Sequence, residues 1–358
     1  MIGVIYIQDI NNCPFLSKYI RTLDESGVEY KIIYWNRKVE SGTSGFVKKG
    51  NAVEYRDAQD LTLSKLKKIR GFLKFRHFIK QEIRGCDKLV LLTTMSAVIL
   101  FDNLWLYKGK YIFDYRDPSM EGNMLFSFLM RLIVNWSYFT CISSTAFKTI
   151  LTKHDYLIAH NFRYEDLEMA KQMKTRFHED NKIKLVYLGA IREYNHIRKQ
   201  INLFANDDRF ELYYYGTGND SDLLEDYCNK HTFTNIHLMG PYNNDEKIKI
   251  LKTADIINNH YPADCGYPLR STNKIYDAII YKIPLLSNIN GIDARNSMSY
   301  GFGIGLALDS DKDKDNLYTW YMSLNKDELD HSCSAYLEEV LKDDNIYIEK
   351  IKSFINYD

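Results

Sequence analysis

The chain has 358 residues, of which 45% are hydrophobic, 26% charged and 14% aromatic. That length suits about two domains, and the composition excludes disordered, collagen-like and low-complexity proteins. Lys plus Arg and Asp plus Glu both number 47, so the global basic excess that marks a nucleic-acid binder is missing and no nucleic-acid partner is expected. The charge is split, however: residues 1–165 hold 24 basic against 16 acidic side chains and residues 166–358 hold 23 against 31, which gives the two halves different partners.

In chain order, Ile2–Ile7 is an apolar, β-branched run that turns polar by Gln8 without a basic leader. It reads as a first strand rather than a signal peptide, and a cytoplasmic location is expected. Glu29–Trp35, Lys88–Leu92, Tyr111–Asp114, Tyr138–Ile142 and Tyr156–His160 continue the series, with helical patterns between them. Such alternation predicts βα units and a doubly wound parallel sheet. Residues 65–84 hold eight basic side chains and one acidic, with Leu66, Ile69, Phe72, Leu73, Phe75, Phe78 and Ile79 forming a broad apolar stripe. This is either a basic amphipathic helix for an anionic lipid surface or a surface helix with a solvated basic face. Met124 to Trp136 is interrupted by Ser127, Arg131 and Asn135 and is shorter than the ~20 residues a membrane span needs. Asp9 and Asp117 follow strands of this half and are candidates for a catalytic base, although Asp117-Pro118 is also a natural helix start. Asn11 and Asn12, just beyond the first strand, are candidate acceptor contacts.

A polar, charge-rich stretch at 166–182 reads as a linker. Beyond it, strands are expected at Lys184–Leu188, Glu211–Tyr215, Asn235–Leu238, Asp255–Ile257, Pro284–Ser287 and near Phe302–Leu306. The domains are therefore expected at 1–165 and 183–335, with helices at 336–358 that can pack back on the first domain. The first of these strands runs into Gly189 and Arg192, then a helix holding Arg198 and Lys199. A glycine turn before a helix lets backbone amides approach an anion, and a guanidinium can fork onto phosphate. A plain turn with an exposed arginine is the alternative. Tyr215-Gly216-Thr217-Gly218 lacks the third glycine of a dinucleotide fingerprint, which argues against NAD. Gly240-Pro241-Tyr242 ends another strand, where Tyr242 can stack on a base or simply stand in a turn. Ser271, Thr272 or Asn273 can cap a helix whose free N–H groups favour a diphosphate, with Arg270 and Lys274 adding charge. Asp277 can then accept ribose hydroxyl bonds, or pair with Lys274 on the helix surface.

The order Gly189-x-x-Arg192, Tyr215-Gly-Thr-Gly218, His237-Leu-Met-Gly240, Ala254-Asp255 and Ser271-Thr-Asn-Lys-Ile-Tyr-Asp-Ala278 with Lys282-Ile-Pro284 resembles the donor half of GT-B glycosyltransferases. The resemblance is greatest to the family 4-like bacterial enzymes of capsular and O-antigen polysaccharide synthesis. In the first half Phe113-Asp-Tyr-Arg-Asp-Pro118 is similar to an Asp-x-Arg-Asp segment of some of these enzymes. The resemblance implies an α/β GT-B fold, two Rossmann-like doubly wound domains facing a central cleft. It also implies a hexosyltransferase that is retaining and metal-independent, without a cofactor. A UDP-sugar, favoured over a GDP-sugar, would be held by the second domain and a lipid-linked or soluble glycan acceptor by the first, on the inner face of the plasma membrane. The implied donor contacts are Gly189, Arg192, Lys199, Ser271, Thr272, Asn273 and Lys274 for the diphosphate. Asp277, Tyr215, Gly216 and Tyr242 would hold the ribose and base, and Asp264, Gly266 and Tyr267 the sugar. One departure concerns the two glutamates with seven residues between them that many such enzymes carry: Asp277 matches the second, but Leu269 stands at the first, eight positions before it, and the nearest upstream carboxylate is Asp264.

Two rivals are a GT-B-fold nucleotide-sugar epimerase, which would need an acidic and histidine set, and a non-catalytic nucleotide- or glycan-binding partner. No metal site is expected. The six cysteines form no CxxC pair and the histidines show no metal spacing.

Overall fold

The computed structural model describes residues 1–10, 13–37, 51–57, 65–170, 182–264 and 266–357. The chain divides into two compact units, Met1–Asn161 with Leu341–Asp358, and Phe162–Val340. The first unit therefore ends at 161 rather than 165. The expected linker at 166–182 is helical at its start, while residues 171–181 lie outside the described residues.

The first unit runs β1 (Ile2–Tyr6), α1 (Leu16–Glu25), β2 (Tyr30–Asn36), β3 (Ala52–Arg56), α2 (Lys65–Glu82), β4 (Lys88–Leu92), α3 (Thr94–Ile99), α4 (Phe101–Leu104), β5 (Tyr111–Tyr115), α5 (Met124–Trp136), β6 (Phe139–Ile142) and β7 (Leu157–Ile158). All seven strands are parallel, in the order β3-β2-β1-β4-β5-β6-β7. β1 is buried at every position, as a strand covered on both faces must be, so its sequence is a continuous apolar run rather than an alternating one. It aligns Ile2 with Tyr30 on one side and with Lys88 on the other. β3 was not expected: Ala-Val-Glu-Tyr-Arg is short and half-polar because it is the sheet's edge, with four of its five residues only partly buried.

The second unit runs α6 (Tyr164–Ala170), β8 (Ile183–Leu188), α7 (Tyr194–Phe204), β9 (Phe210–Tyr215), α8 (Ser221–Asn229), β10 (Ile236–Gly240), α9 (Asn244–Leu251), β11 (Ile256–Asn259), α10 (Asn273–Tyr281), β12 (Leu285–Asn288), α11 (Ile292–Tyr300), β13 (Gly303–Leu306), α12 (Asp311–Ser323) and α13 (Lys326–Asn356). Its six strands are parallel in the order β10-β9-β8-β11-β12-β13. The strand order reverses between β1 and β4 in the first sheet and between β8 and β11 in the second. Doubly wound sheets bind ligands at the carboxyl ends of the strands flanking such a reversal.

The 31-residue α13 belongs to both units. Its later part supplies Tyr347, Ile351 and Phe354 to a core cluster of the first unit that also holds Val4, Tyr19, Ile32, Val90 and Phe139. Among these apolar groups Lys18 pairs with Asp344 at 2.5 Å, both side chains 3% exposed. Lys18 also donates to the carbonyl of His160 at 2.9 Å. Among the described residues no helix is long and apolar enough to cross a membrane.

Candidate functional site

The carboxyl edge of the second sheet is built from glycine turns. Gly189, at φ +142, follows β8, and its N–H donates to the carbonyl of Tyr215 at 3.0 Å. Gly216, at φ +132, follows β9 and donates to the carbonyl of Gly240 at 2.7 Å. The two turns touch through backbone: a Cβ on Gly216 would stand 1.8 Å from the oxygen of Gly189, and one on Gly218 would stand 2.1 Å from the oxygen of Ile191. Tyr-Gly-Thr-Gly is thus required by the close approach of two loops, which accounts for its incomplete fit to a dinucleotide fingerprint.

Beside these turns stands Lys274, in the first turn of α10 and 5% exposed. Its ammonium lies 4.4 Å from the ring centre of Tyr187 and 4.6 Å from that of Tyr261, and donates to the Tyr261 hydroxyl. It also comes within 3.6 Å of the position a Cβ on Gly189 would take. Burial lowers the Lys274 pKa, against Tyr187, Asp277 and Asp293, which hold its charge. Burial likewise pushes Tyr261 up to about 12, so its hydroxyl stays protonated at neutral pH. Tyr261 stacks on Tyr267 at 4.9 Å, and the Arg270 guanidinium lies 5.6 Å over the other ring of that pair. Gly266, at φ +77, makes the turn that brings Tyr267 back. The result is a desolvated cation in an aromatic cage against a glycine turn, an arrangement in which an anion gains far more than at an exposed lysine.

The remaining expected donor residues separate. Arg192 is exposed in the loop before α7. Ser271 and Thr272 do not cap α10 with their side chains. Both serve Asp293 of α11: the Ser271 hydroxyl and the Thr272 N–H each donate to its carboxylate at 3.0 Å, and the Thr272 hydroxyl donates to Asn259 at 2.8 Å. Asn273 is exposed. Asp277 is not at the helix surface and does not pair with Lys274. It is 5% exposed and meets Lys247 of α9 at 2.5 Å, while the Lys274 ammonium is turned to Tyr187 and Tyr261. Lys247 also holds Asp166 at 3.2 Å, and the Tyr281 hydroxyl donates to Asp166 at 3.1 Å. Tyr242 stands edge-on to Tyr215 at 6.4 Å, and burial first and Asp277 second raise its pKa.

Lys199 pairs with Asp309 and, with Asp264, lines a different cavity of about 500 Å³. Its inner wall is a stacked histidine pair that spacing alone could not show, since His196 and His260 are 64 residues apart. His260 Nε2 lies 2.9 Å from the carbonyl of Leu306, so that nitrogen carries the proton and Nδ1 accepts. Gln200 donates to His260, its own oxygen fixed by Asn258 at 3.1 Å. Burial first and His196 second lower the His260 pKa to about 4. The unfolded chain takes up a proton near pH 6.5 while the folded chain does so only near pH 4. Stability is therefore expected to be full above pH 6.5 and to fall by about 3 kcal/mol as pH drops to 4, with His260→Asn flattening that slope. Urea midpoints between pH 4 and 7.5 measure it, and equal slopes for the two proteins would contradict it.

No protein-family model and no curated protein matches the sequence. Solved structures match over nearly the whole chain. HepE of Anabaena in complex with UDP-glucose superposes with a TM-score of 0.68 at 10% identity, covering 98% of this chain and 99% of that one. The lipopolysaccharide outer core galactosyltransferase WaaB gives 0.65 at 13%, with 99% of each chain covered. A putative UDP-N-acetylglucosamine 2-epimerase from Listeria monocytogenes gives 0.54 at 11%, covering 93% and 90%. The fold is GT-B.

In the first Rossmann-like unit of this GT-B chain, Asp9 is buried, 8% exposed, and Asp117 is exposed; the charges of both add to burial, the largest cause, in raising the pKa of Tyr6. Asp117 does not start a helix: α5 begins at Met124, where Asn123 accepts from the N–H groups of Leu125 and Phe126. Asp114 and Arg116 of the Asp-x-Arg-Asp segment form a buried anchor, with Arg116 gripping Asp114 at 2.5 and 2.9 Å and donating to the carbonyl of Ala159 at 2.9 Å. Asn11 and Asn12 lie outside the described residues, as does Cys265. Among the described residues no group of three or more His, Cys, Asp or Glu side chains is placed to hold a metal ion.

Proposed function

We propose that the chain is a glycosyltransferase that moves a hexose from a UDP-sugar to a glycan on a polyprenyl-diphosphate carrier, with retention and without a metal, in surface polysaccharide synthesis. The caged Lys274 beside the Gly189 turn carries this reading. When the bond from the anomeric carbon to the β-phosphate oxygen breaks, negative charge grows on the diphosphate. A preorganised, water-poor cation and the N-terminal amides of α7 and α10 stabilise that charge most where it is largest. The acceptor hydroxyl forms the new bond to the anomeric carbon on the face from which the diphosphate departs, which keeps the configuration, and gives up its proton, for which Asp117 and Asp9 are the candidate carboxylates. Arg192, exposed before α7, would close on the diphosphate from solvent. A UDP-glucose complex of a protein with this fold supports the choice of donor. The basic α2 would keep the enzyme at the inner face of the plasma membrane, beside a lipid-linked acceptor.

Lys274→Met keeps the apolar stem and removes the charge, so the fold should hold while UDP binds about 10- to 150-fold more weakly and uridine is unaffected. Calorimetry with the two ligands tests this, and equal losses for both would remove the phosphate role. Transfer should also survive excess EDTA; a loss restored by magnesium or manganese would overturn the metal-independent part of the proposal.

A further inference from the structure

The carboxyl edge of the first sheet holds two buried polar groups that the fold itself does not use. β2 ends at Asn36, and the next residue, Arg37, lays its guanidinium 4.3 Å from the ring centre of Trp35 and 5.3 Å from that of Phe72. Its Nε and Nη2 atoms are buried and without a hydrogen-bond partner. The carboxylates of the adjacent β3 and its exit are already held. Glu54 accepts from Arg56 at 2.7 Å and from the Asn36 amide at 2.6 Å, and Asp57 meets Lys74 at 3.5 Å and the Tyr55 hydroxyl at 3.4 Å. An unpaired guanidinium taken out of water destabilises the free protein, so its placement calls for a partner from outside the chain.

The second group is Thr93, at the end of β4 on the other side of β1. Its backbone stands at φ +74 and ψ 158, a region essentially reserved to glycine, and its hydroxyl is buried with no hydrogen-bond partner. Tyr6 of β1 lies opposite Tyr34 on one side and opposite Leu92 on the other. Extended by one residue, that register sets Ile7 level with Trp35 and Thr93. With strands ~4.8 Å apart, the threonine is about 10 Å across β1 from the tryptophan that carries Arg37. The two unpaired nitrogens define the ligand's chemistry, because Nε and Nη2 form the edge of a guanidinium that forks onto the two coplanar oxygens of a carboxylate. One guanidinium balances one negative charge. A phosphate monoester brings nearly two, and the surplus would meet Asp9, 8% exposed just past β1. A carboxylate on a ring of hydroxyls, as in a uronic acid, suits the arginine with its charge and the threonine with its hydroxyls.

We propose that Arg37 and Thr93 form a subsite for the carboxylate of an acidic sugar, so that the acceptor glycan carries a uronic acid at the residue held by the first unit. The proposal rests on the reading of that unit as the acceptor side. Its test uses free D-glucuronate on the full chain with isotope-labelled arginine, with D-glucose and inorganic phosphate as comparison ligands and UDP calorimetry on the same samples. In nuclear magnetic resonance spectra glucuronate should shift one side-chain Nε–H signal, the one that Arg37→Met removes, and glucose and phosphate should leave it in place. Arg37→Met should weaken glucuronate binding about 10- to 150-fold and Thr93→Val about 2- to 10-fold. Arg37→Lys keeps the charge and loses the fork, and should recover only part of the affinity. Neither group has a hydrogen-bond partner in the free chain. Arg37→Met and Thr93→Val should therefore melt at or above the wild-type temperature, whereas removal of a group that braces the fold lowers it. UDP affinity should be the same in all four proteins. A wild type in which glucuronate moves no arginine signal, an Arg37 signal that answers phosphate more than glucuronate, glucuronate binding unchanged in Arg37→Met, or a melting temperature lowered by either substitution would each overturn the proposal. Absence of UDP binding in a wild type whose Arg37 answers glucuronate would overturn the nucleotide reading alone.

Discussion

A Gly216→Ala variant is expected to lose roughly 4 kcal/mol or more of stability in the second unit, because among the described glycines an added carbon comes nearest to another atom here. The added carbon would stand 1.8 Å from the carbonyl oxygen and 2.8 Å from the carbonyl carbon of Gly189. Both are backbone atoms, so no rotamer change relieves the clash. The turns after β8 and β9 would have to part, with loss of the bonds from Gly189 to Tyr215 and from Gly216 to Gly240. Gly240→Ala is the matched control. It sits at φ +73 with nothing within 4 Å of the added carbon, and should cost only the about 1–2 kcal/mol of a left-handed backbone. Hydrogen exchange of the β8 and β9 amides reads the difference locally. Equal protection in the two variants would mean that the turns yield easily, and that the position of Lys274 against Gly189 is not rigidly set.

Lys247→Met should cost about 3–5 kcal/mol at pH 7, because it leaves the carboxylates of Asp277 and Asp166 buried without their shared cation. Burial already holds Asp277 above the usual carboxylate range even with Lys247 in place. Without the cation that pKa rises further. The folded variant then binds more protons than the unfolded chain between pH 7 and 4, and its deficit should shrink as pH falls. Thermal unfolding of wild type and variant across that range decides it, and a deficit that is constant or grows toward acid would sink the ion-triad account. The companion Asp277→Asn separates two roles. A donor dissociation constant that rises with melting unchanged would mark a ribose contact, whereas a lowered melting temperature with unchanged binding would mark Asp277 as an internal brace.

The strands were legible because parallel strands buried on both faces must be apolar throughout, and twelve of the thirteen fall where β-branched runs stand. β3 escaped because an edge strand needs no such run. Site residues were legible where chain position sets chemistry. Gly189, Gly216 and Lys274 each follow a strand at the carboxyl edge, and the fold brings all three together. Partnerships across the chain left no local trace. Nothing near Asp277 points to Lys247, nothing near Ser271 and Thr272 points to Asp293, and the His196 and His260 pair depends on how β11 lies beside α7. Helical spacing also misleads when both faces are apolar. The pattern in α2 gives the period correctly, but only packing shows that Phe75 faces inward and Leu66 outward.

The shared helix α13 imposes an order on synthesis. The first 161 residues leave the ribosome without Tyr347, Ile351 and Phe354 for their core and without Asp344 for Lys18, all of which are translated after the 179 residues of the second unit. At about 5–20 residues per second that is a delay on the order of 10–40 s. During this interval the nascent first unit has an open apolar face, and Lys18 is without Asp344. The second unit, contiguous in the chain, can close meanwhile. The half made first is thus the half completed last, and a chaperone that shields nascent chains would find its substrate in the amino-terminal half.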